Sequence, residues 1–105
     1  MQPDTKVLEE LIKRIVEAAH PLRIILFGSA ARGEMGPNSD LDVLVVVPEG
    51  THRRHTAQTI YRNLIGFGCA TDVVVATESD LHRYADDFSL IYYPALREGT
   101  EIYAI

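Results

Sequence analysis

Seven apolar side chains, Val7, Leu8, Leu11, Ile12, Ile15, Val16 and Ala19, recur at intervals of three and four residues. That is the spacing of a single helix face and predicts a helix over residues 4–19. Asp4 or Thr5 can cap its start, and His20-Pro21 stops it. The pattern then changes. Leu22–Phe27 is a short apolar run that reads as a buried strand, and Leu41–Val47, β-branched and apolar on both faces, is the clearest strand of the chain. Between them Gly28-Ser29 breaks the first strand, Ala30-Ala31-Arg32 reads as one helical turn ended by Gly33, and 34–39 reads as a loop. Pro48-Glu49-Gly50 turns the chain into a second long helix over 51–66, with Ala57, Ile60, Tyr61, Leu64 and Ile65 expected inward and Arg54, Gln58 and Arg62 outward. Ala70–Ala76 reads as a third strand interrupted by one charge, Asp72. Thr77 or Ser79 caps a short helix to about Ala85, Leu90–Glu98 reads as a last helix despite Pro94, and Thr100–Tyr103 as an edge strand. This order predicts a small α/β sandwich, a mixed sheet of three or four strands with helices packed mainly on one face.

Composition narrows the reading. One domain spanning 1–105 is expected at this length, and an apolar fraction of 47% suits one compact core. A formal net charge of −5 argues against wrapping an extended nucleic acid, although a mononucleotide whose phosphates arrive with a divalent cation remains compatible. Cys69 is the only cysteine, which excludes an internal disulfide and a cysteine zinc site, fits a reducing cytoplasm, and reads as a buried, inert side chain. No apolar run reaches membrane-spanning length, and the N-terminus, with Asp4, Glu9 and Glu10, has no signal-peptide pattern.

The candidate chemistry lies between the first two strands. Asp40 and Asp42, two apart in extended chain, point the same way with Cα atoms about 6.6–6.8 Å apart, so their carboxylates can converge on hard cations. Leu41 then points into the core, and Val43-Leu44-Val45 exclude a calcium loop, which would require polar ligands and a glycine there. Asp72 opens an otherwise apolar strand, where a carboxylate needs solvent or a positive partner. A metal shared with Asp40 and Asp42 would satisfy it, and it is the natural group to take a proton from an incoming hydroxyl. Gly28-Ser29 places a glycine and a hydroxyl where a helical turn begins, a place for phosphate oxygens, with Arg32 three residues on and Gly33 ending the turn. Gly-Ser alone is usually an ordinary turn and Asp-x-Asp alone is weak; the combination in this order carries the reading. His52 and His55 have no acidic or thiol neighbour in sequence and read as a solvated surface facing a partner or nucleotide.

Gly28-Ser29-Ala30-Ala31-Arg32-Gly33 followed by Pro37-Asn38-Ser39-Asp40-Leu41-Asp42-Val43 resembles the signature of the minimal nucleotidyltransferases of the DNA polymerase β-like superfamily, over essentially the whole chain. The resemblance implies a nucleotidyltransferase-type fold, ATP as nucleotide donor, and two divalent ions, Mg2+ or alternatively Mn2+. It implies that Gly28, Ser29, Arg32, Gly33 and Ser39 contact the nucleotide, and that Asp40, Asp42 and Asp72 are metal ligands and catalytic carboxylates. Family members are commonly antitoxins partnered with a helical HEPN-domain ribonuclease toxin, and known examples transfer AMP to a tyrosine hydroxyl of that toxin. Ala30 departs from the pattern, since many relatives carry a larger polar or basic residue there. With the tyrosines at 84, 92, 93 and 103, which suit core packing or an interface with a partner or second copy, it motivates the alternative of a catalytically weak module that neutralises a toxin by occlusion.

Overall fold

The computed structural model describes residues 4–28, 40–84 and 97–105. Helix α1 spans Thr5–Ala19. Asp4, not Thr5, is its cap: the carboxylate accepts the Lys6 N–H at 2.7 Å. His20 ends it in the left-handed conformation, φ 46°, with its N–H donating to the Val16 carbonyl. Strands β1 (Arg23–Phe27) and β2 (Leu41–Val47) follow, then helix α2 (Arg53–Asn63), strand β3 (Thr71–Thr77), helix α3 (Glu78–Tyr84) and strand β4 (Thr100–Ala104). The sheet is mixed and four-stranded in the order β3-β2-β1-β4. β1 runs antiparallel to both its neighbours, and β2 and β3 are parallel. The β2–β3 connection therefore needs a crossover, which α2 supplies.

Side-chain alternation sends each strand to two faces. On one face Ile24, Leu26, Val43, Val45, Val47 and Val75 pack with Leu11 and Ile15 of α1 and Ile60 of α2. On the other, Ile25, Phe27, Leu44, Val46 and Ala76 meet Leu81 of α3. Burial on both faces explains why β2 reads as a nearly unbroken apolar run. Thr77, not Ser79, caps α3. The Thr77 N–H donates to Asp80 Oδ2 at 3.0 Å, and the Asp80 N–H donates to Thr77 Oγ1 at 3.2 Å, a reciprocal capping box.

Several expectations need correction or fall outside the described residues. The second helix is shorter than 51–66, and Tyr61 and Ile65 are exposed rather than inward, at 44% and 79%. The Tyr61 ring lies along the open edge of β3, where its hydroxyl accepts the Val73 N–H at 2.9 Å. Ile65 lies past the helix end in a turn whose carbonyl Arg14 Nη1 grips at 2.9 Å. Cys69 is half-buried rather than buried, because it lies in the connection before β3 and not in the sheet. The helical turn at 30–33 lies outside the described residues, as does the helix over 90–98 except Arg97 and Glu98, which are helical.

Candidate functional site

Strand register brings two of the three candidate carboxylates together, Asp42 and Asp72, and, among the described residues, does not bring Asp40 into a three-carboxylate cluster with them. Asp42 pairs with Asp72 in the parallel β2–β3 ladder, so their Cα atoms are about 4.8 Å apart and their side chains leave the sheet on the same side. By alternation that is the side of Leu44, Val46 and Ala76, opposite α1 and α2. Asp40, two residues before Asp42, precedes β2 at the same end. Asp40 and Asp72 are exposed and Asp42 is half-buried, whereas Leu41 between the first two is fully buried in the opposite core. Asp72 thus stands at the strand mouth, and the Leu41 N–H to Ala70 carbonyl bond of 2.9 Å fixes where β3 begins beside β2.

Gly28 completes the described part. Phe27 lies opposite Asp42 in the antiparallel β1–β2 ladder, so Gly28 follows at the carboxylates' end. Its φ is +74°, and a Cβ there would run into Asp42 Oδ2. Glycine is therefore required twice over, by backbone conformation and by the closeness of the carboxylate. Ser29, Arg32, Gly33 and Ser39, the other expected nucleotide contacts, lie outside the described residues.

Like-charged neighbours directly opposite in a ladder repel, and Asp42 and Asp72 occupy such positions. No three acidic, histidine or cysteine side chains among the described residues form a ready-made metal cage. A hard cation of the magnesium type does not require one, since it is commonly held by one or two carboxylates together with substrate phosphates and water. An all-oxygen donor pair, at a strand end where the chain is pared to glycine, fits that mode. Sequence reasoning singled out Gly28, Asp40, Asp42 and Asp72. It expected Asp72 to share a metal with Asp40 and Asp42, but not the direct ladder pairing of Asp42 with Asp72, for which the sequence signal is that both sit at the second position of an apolar strand.

The profile of the family described as nucleotidyltransferase domain matches residues 8–101. The chain belongs to this family. Its fold recurs in solved structures that share little sequence with it. A nucleotidyltransferase structure from Sulfolobus solfataricus is 19% identical with a TM-score of 0.64, over 94% of this chain and 78% of that one. A toxin–antitoxin structure with AMP-PNP is 19% identical with a TM-score of 0.65, over 93% and 73%. A structure of the toxin–antitoxin MntA-HpeT carrying two Asp-to-Glu changes two residues apart is 17% identical with a TM-score of 0.64, over the same shares. Comparison with curated proteins gave no match. No helix among the described residues of this nucleotidyltransferase domain is long and apolar enough to cross a membrane.

Proposed function

We propose that this nucleotidyltransferase transfers AMP from ATP to a tyrosine hydroxyl of a partner HEPN-domain toxin, and so acts as its antitoxin. The observation that carries the reading is the pairing of Asp42 with Asp72 on one sheet face, beside a glycine that a carboxylate has closed to any side chain. Similarity of fold to a toxin–antitoxin structure with AMP-PNP, and to one altered at an Asp-x-Asp spacing like that of Asp40 and Asp42, supports the choice of donor and biological setting. Asp40, Asp42 and Asp72 would hold divalent metal with the substrate phosphates, where it supplies neutralisation of the polyphosphate charge. Asp72, exposed on the edge strand, accepts the proton of the incoming hydroxyl. The hydroxyl oxygen bonds to the α-phosphorus as the bond to the pyrophosphate oxygen breaks. Gly28 keeps the approach to Asp42 open to a ligand's oxygen atoms.

The test is incubation of the chain with ATP, magnesium and its partner toxin, followed by mass spectrometry of the toxin. The expected result is an adenylyl mass on a tyrosine, absent with the Asp40→Asn/Asp42→Asn variant. An unmodified toxin in the presence of folded wild-type protein contradicts the reading. Protection of cells by the double variant would instead favour neutralisation by occlusion.

A further inference from the structure

The exposed face of α2 differs in character from the rest of the molecule. From Gly50 to Thr71 the sequence contains no acidic residue and three arginines, in a chain whose net charge is −5. Arg54 and Arg62, both exposed, stand eight residues apart on the outer face with Gln58 between them, a stripe about 12 Å long. Neither makes an ion pair among the described residues. Arg62 in the last turn suits the helix dipole, but acidic residues are the favourable choice in a first turn and α2 has none there, so local helix stability does not account for Arg54 or for the absence of acids. Glu17 of α1, which shares a cleft with Arg62, marks the boundary of the basic surface.

Apolar surface adjoins the stripe. Only three large apolar side chains among the described residues are exposed, and two of them, Tyr61 and Ile65, belong to this region. Tyrosine and arginine together are the residue types that anchor protein interfaces. The position of this surface is also specific. The Tyr61 hydroxyl is bonded to the backbone of Val73, the residue after Asp72, so the surface runs around the open edge of β3 to the outermost candidate carboxylate. A macromolecule seated there brings its own hydroxyl groups to the side from which Asp72 is open.

We infer that Arg54, Tyr61 and Arg62 form the docking surface for the acceptor, an acidic polypeptide that presents its tyrosine around the β3 edge to Asp72. The inference rests on the proposed transfer reaction and adds where the acceptor binds and what charge it carries. A nucleic acid fits less well, because two exposed arginines border a molecule that is otherwise acidic.

The probe is a soluble random copolymer of glutamate and tyrosine, with a lysine–tyrosine copolymer and N-acetyltyrosinamide as controls, tested on the full chain. Binding of fluorescent glutamate–tyrosine copolymer is measured by anisotropy without nucleotide, and transfer is measured with labelled ATP and magnesium. The expected result is that Arg54→Glu/Arg62→Glu weakens copolymer binding and raises its KM at least tenfold, with kcat and the rate on N-acetyltyrosinamide within twofold. Arg54→Lys/Arg62→Lys is expected to retain most of the affinity. Both sites are exposed, and glutamate at 54 favours the α2 start while glutamate at 62 opposes the dipole at its end, so the two effects offset and a folding failure is not expected. Equal copolymer affinity in wild type and the Glu variant overturns the inference, as does tighter arginine-dependent binding of a single-stranded RNA 20-mer. If wild type adenylylates no acceptor, including N-acetyltyrosinamide, the transfer reading fails, while the anisotropy result still decides the docking surface.

Discussion

At the residue scale, Gly28 has the least latitude of the described positive-φ glycines. Its positive φ disfavours any side chain by roughly 1–2 kcal/mol, and a methyl group would displace the Asp42 carboxylate. Gly28→Ala is therefore expected to lower stability by at least that amount in chemical denaturation and to lose most nucleotide transfer, the second loss exceeding what partial unfolding explains. Asp72→Asn should behave oppositely. It removes one of two like charges facing each other across the ladder, so stability measured by denaturation should hold or rise while transfer disappears. Opposite stability effects at neighbouring positions distinguish a site from a packing defect. Asp42 and Asp72 also mark where sequence reasoning stops. Each was recognisable by its isolation in an apolar strand, but their adjacency depends on parallel register, which arises from tertiary pairing and leaves no periodicity in either segment.

At the scale of elements, hydrophobic period accounted for α1 and β2 because one pattern and one environment coincide there. It overran α2 because periodicity counts Tyr61 and Ile65 as apolar without distinguishing an edge-covering ring or a post-helical turn from a core face. The α2 start was hidden for a different reason. His52 caps it by accepting the His55 N–H on Nδ1 at 3.1 Å, and histidine is not among the residues usual at that position. Arg14 locks the other end of α2 to α1, donating to the carbonyls of Asn63 and Ile65 while Asn63 Nδ2 donates back to the Arg14 carbonyl at 2.7 Å. Arg14→Ala should cost about 1–3 kcal/mol, as for hydrogen bonds from a charged donor, and calorimetry reads it as a lowered Tm. The α3 start supplies a pH dependence. The Thr77 N–H, with Arg53 at 2.6 Å, holds the Asp80 carboxyl below the usual aspartate value against the opposing effect of burial. A depressed folded value stabilises the protein above the ordinary aspartate range and is lost as pH falls through the lower one. Urea midpoints measured from pH 6 down to pH 2 should therefore decline less for Asp80→Asn than for wild type in the acid limb. Thr77→Ala, which removes the reciprocal cap, should cost about 1 kcal/mol at neutral pH.

At the scale of the whole molecule, the sheet divides the labour. One face is filled by α1 and α2 and, among the described residues, carries the larger buried cluster. The other carries Asp42 and Asp72 at the end where β1 gives way to Gly28, while α3 begins after Thr77, the far end of β3. A strand end is a place where carboxylates can be held by a rigid ladder yet remain open to a ligand. The mixed architecture was legible because helix and strand patterns alternate along the chain, and its single parallel pair follows from a helix-length connection between β2 and β3. The nucleotide contacts proposed for Ser29, Arg32, Gly33 and Ser39 stand on the motif in the sequence alone. The most direct test of a shared cation–triphosphate site is titration calorimetry of the manganese complex of AMP-PNP into wild type, Asp42→Asn and Asp72→Asn. One complex per chain is expected, weakened at least tenfold by either substitution with the fold intact. Unchanged affinity in folded Asp72→Asn would contradict the account.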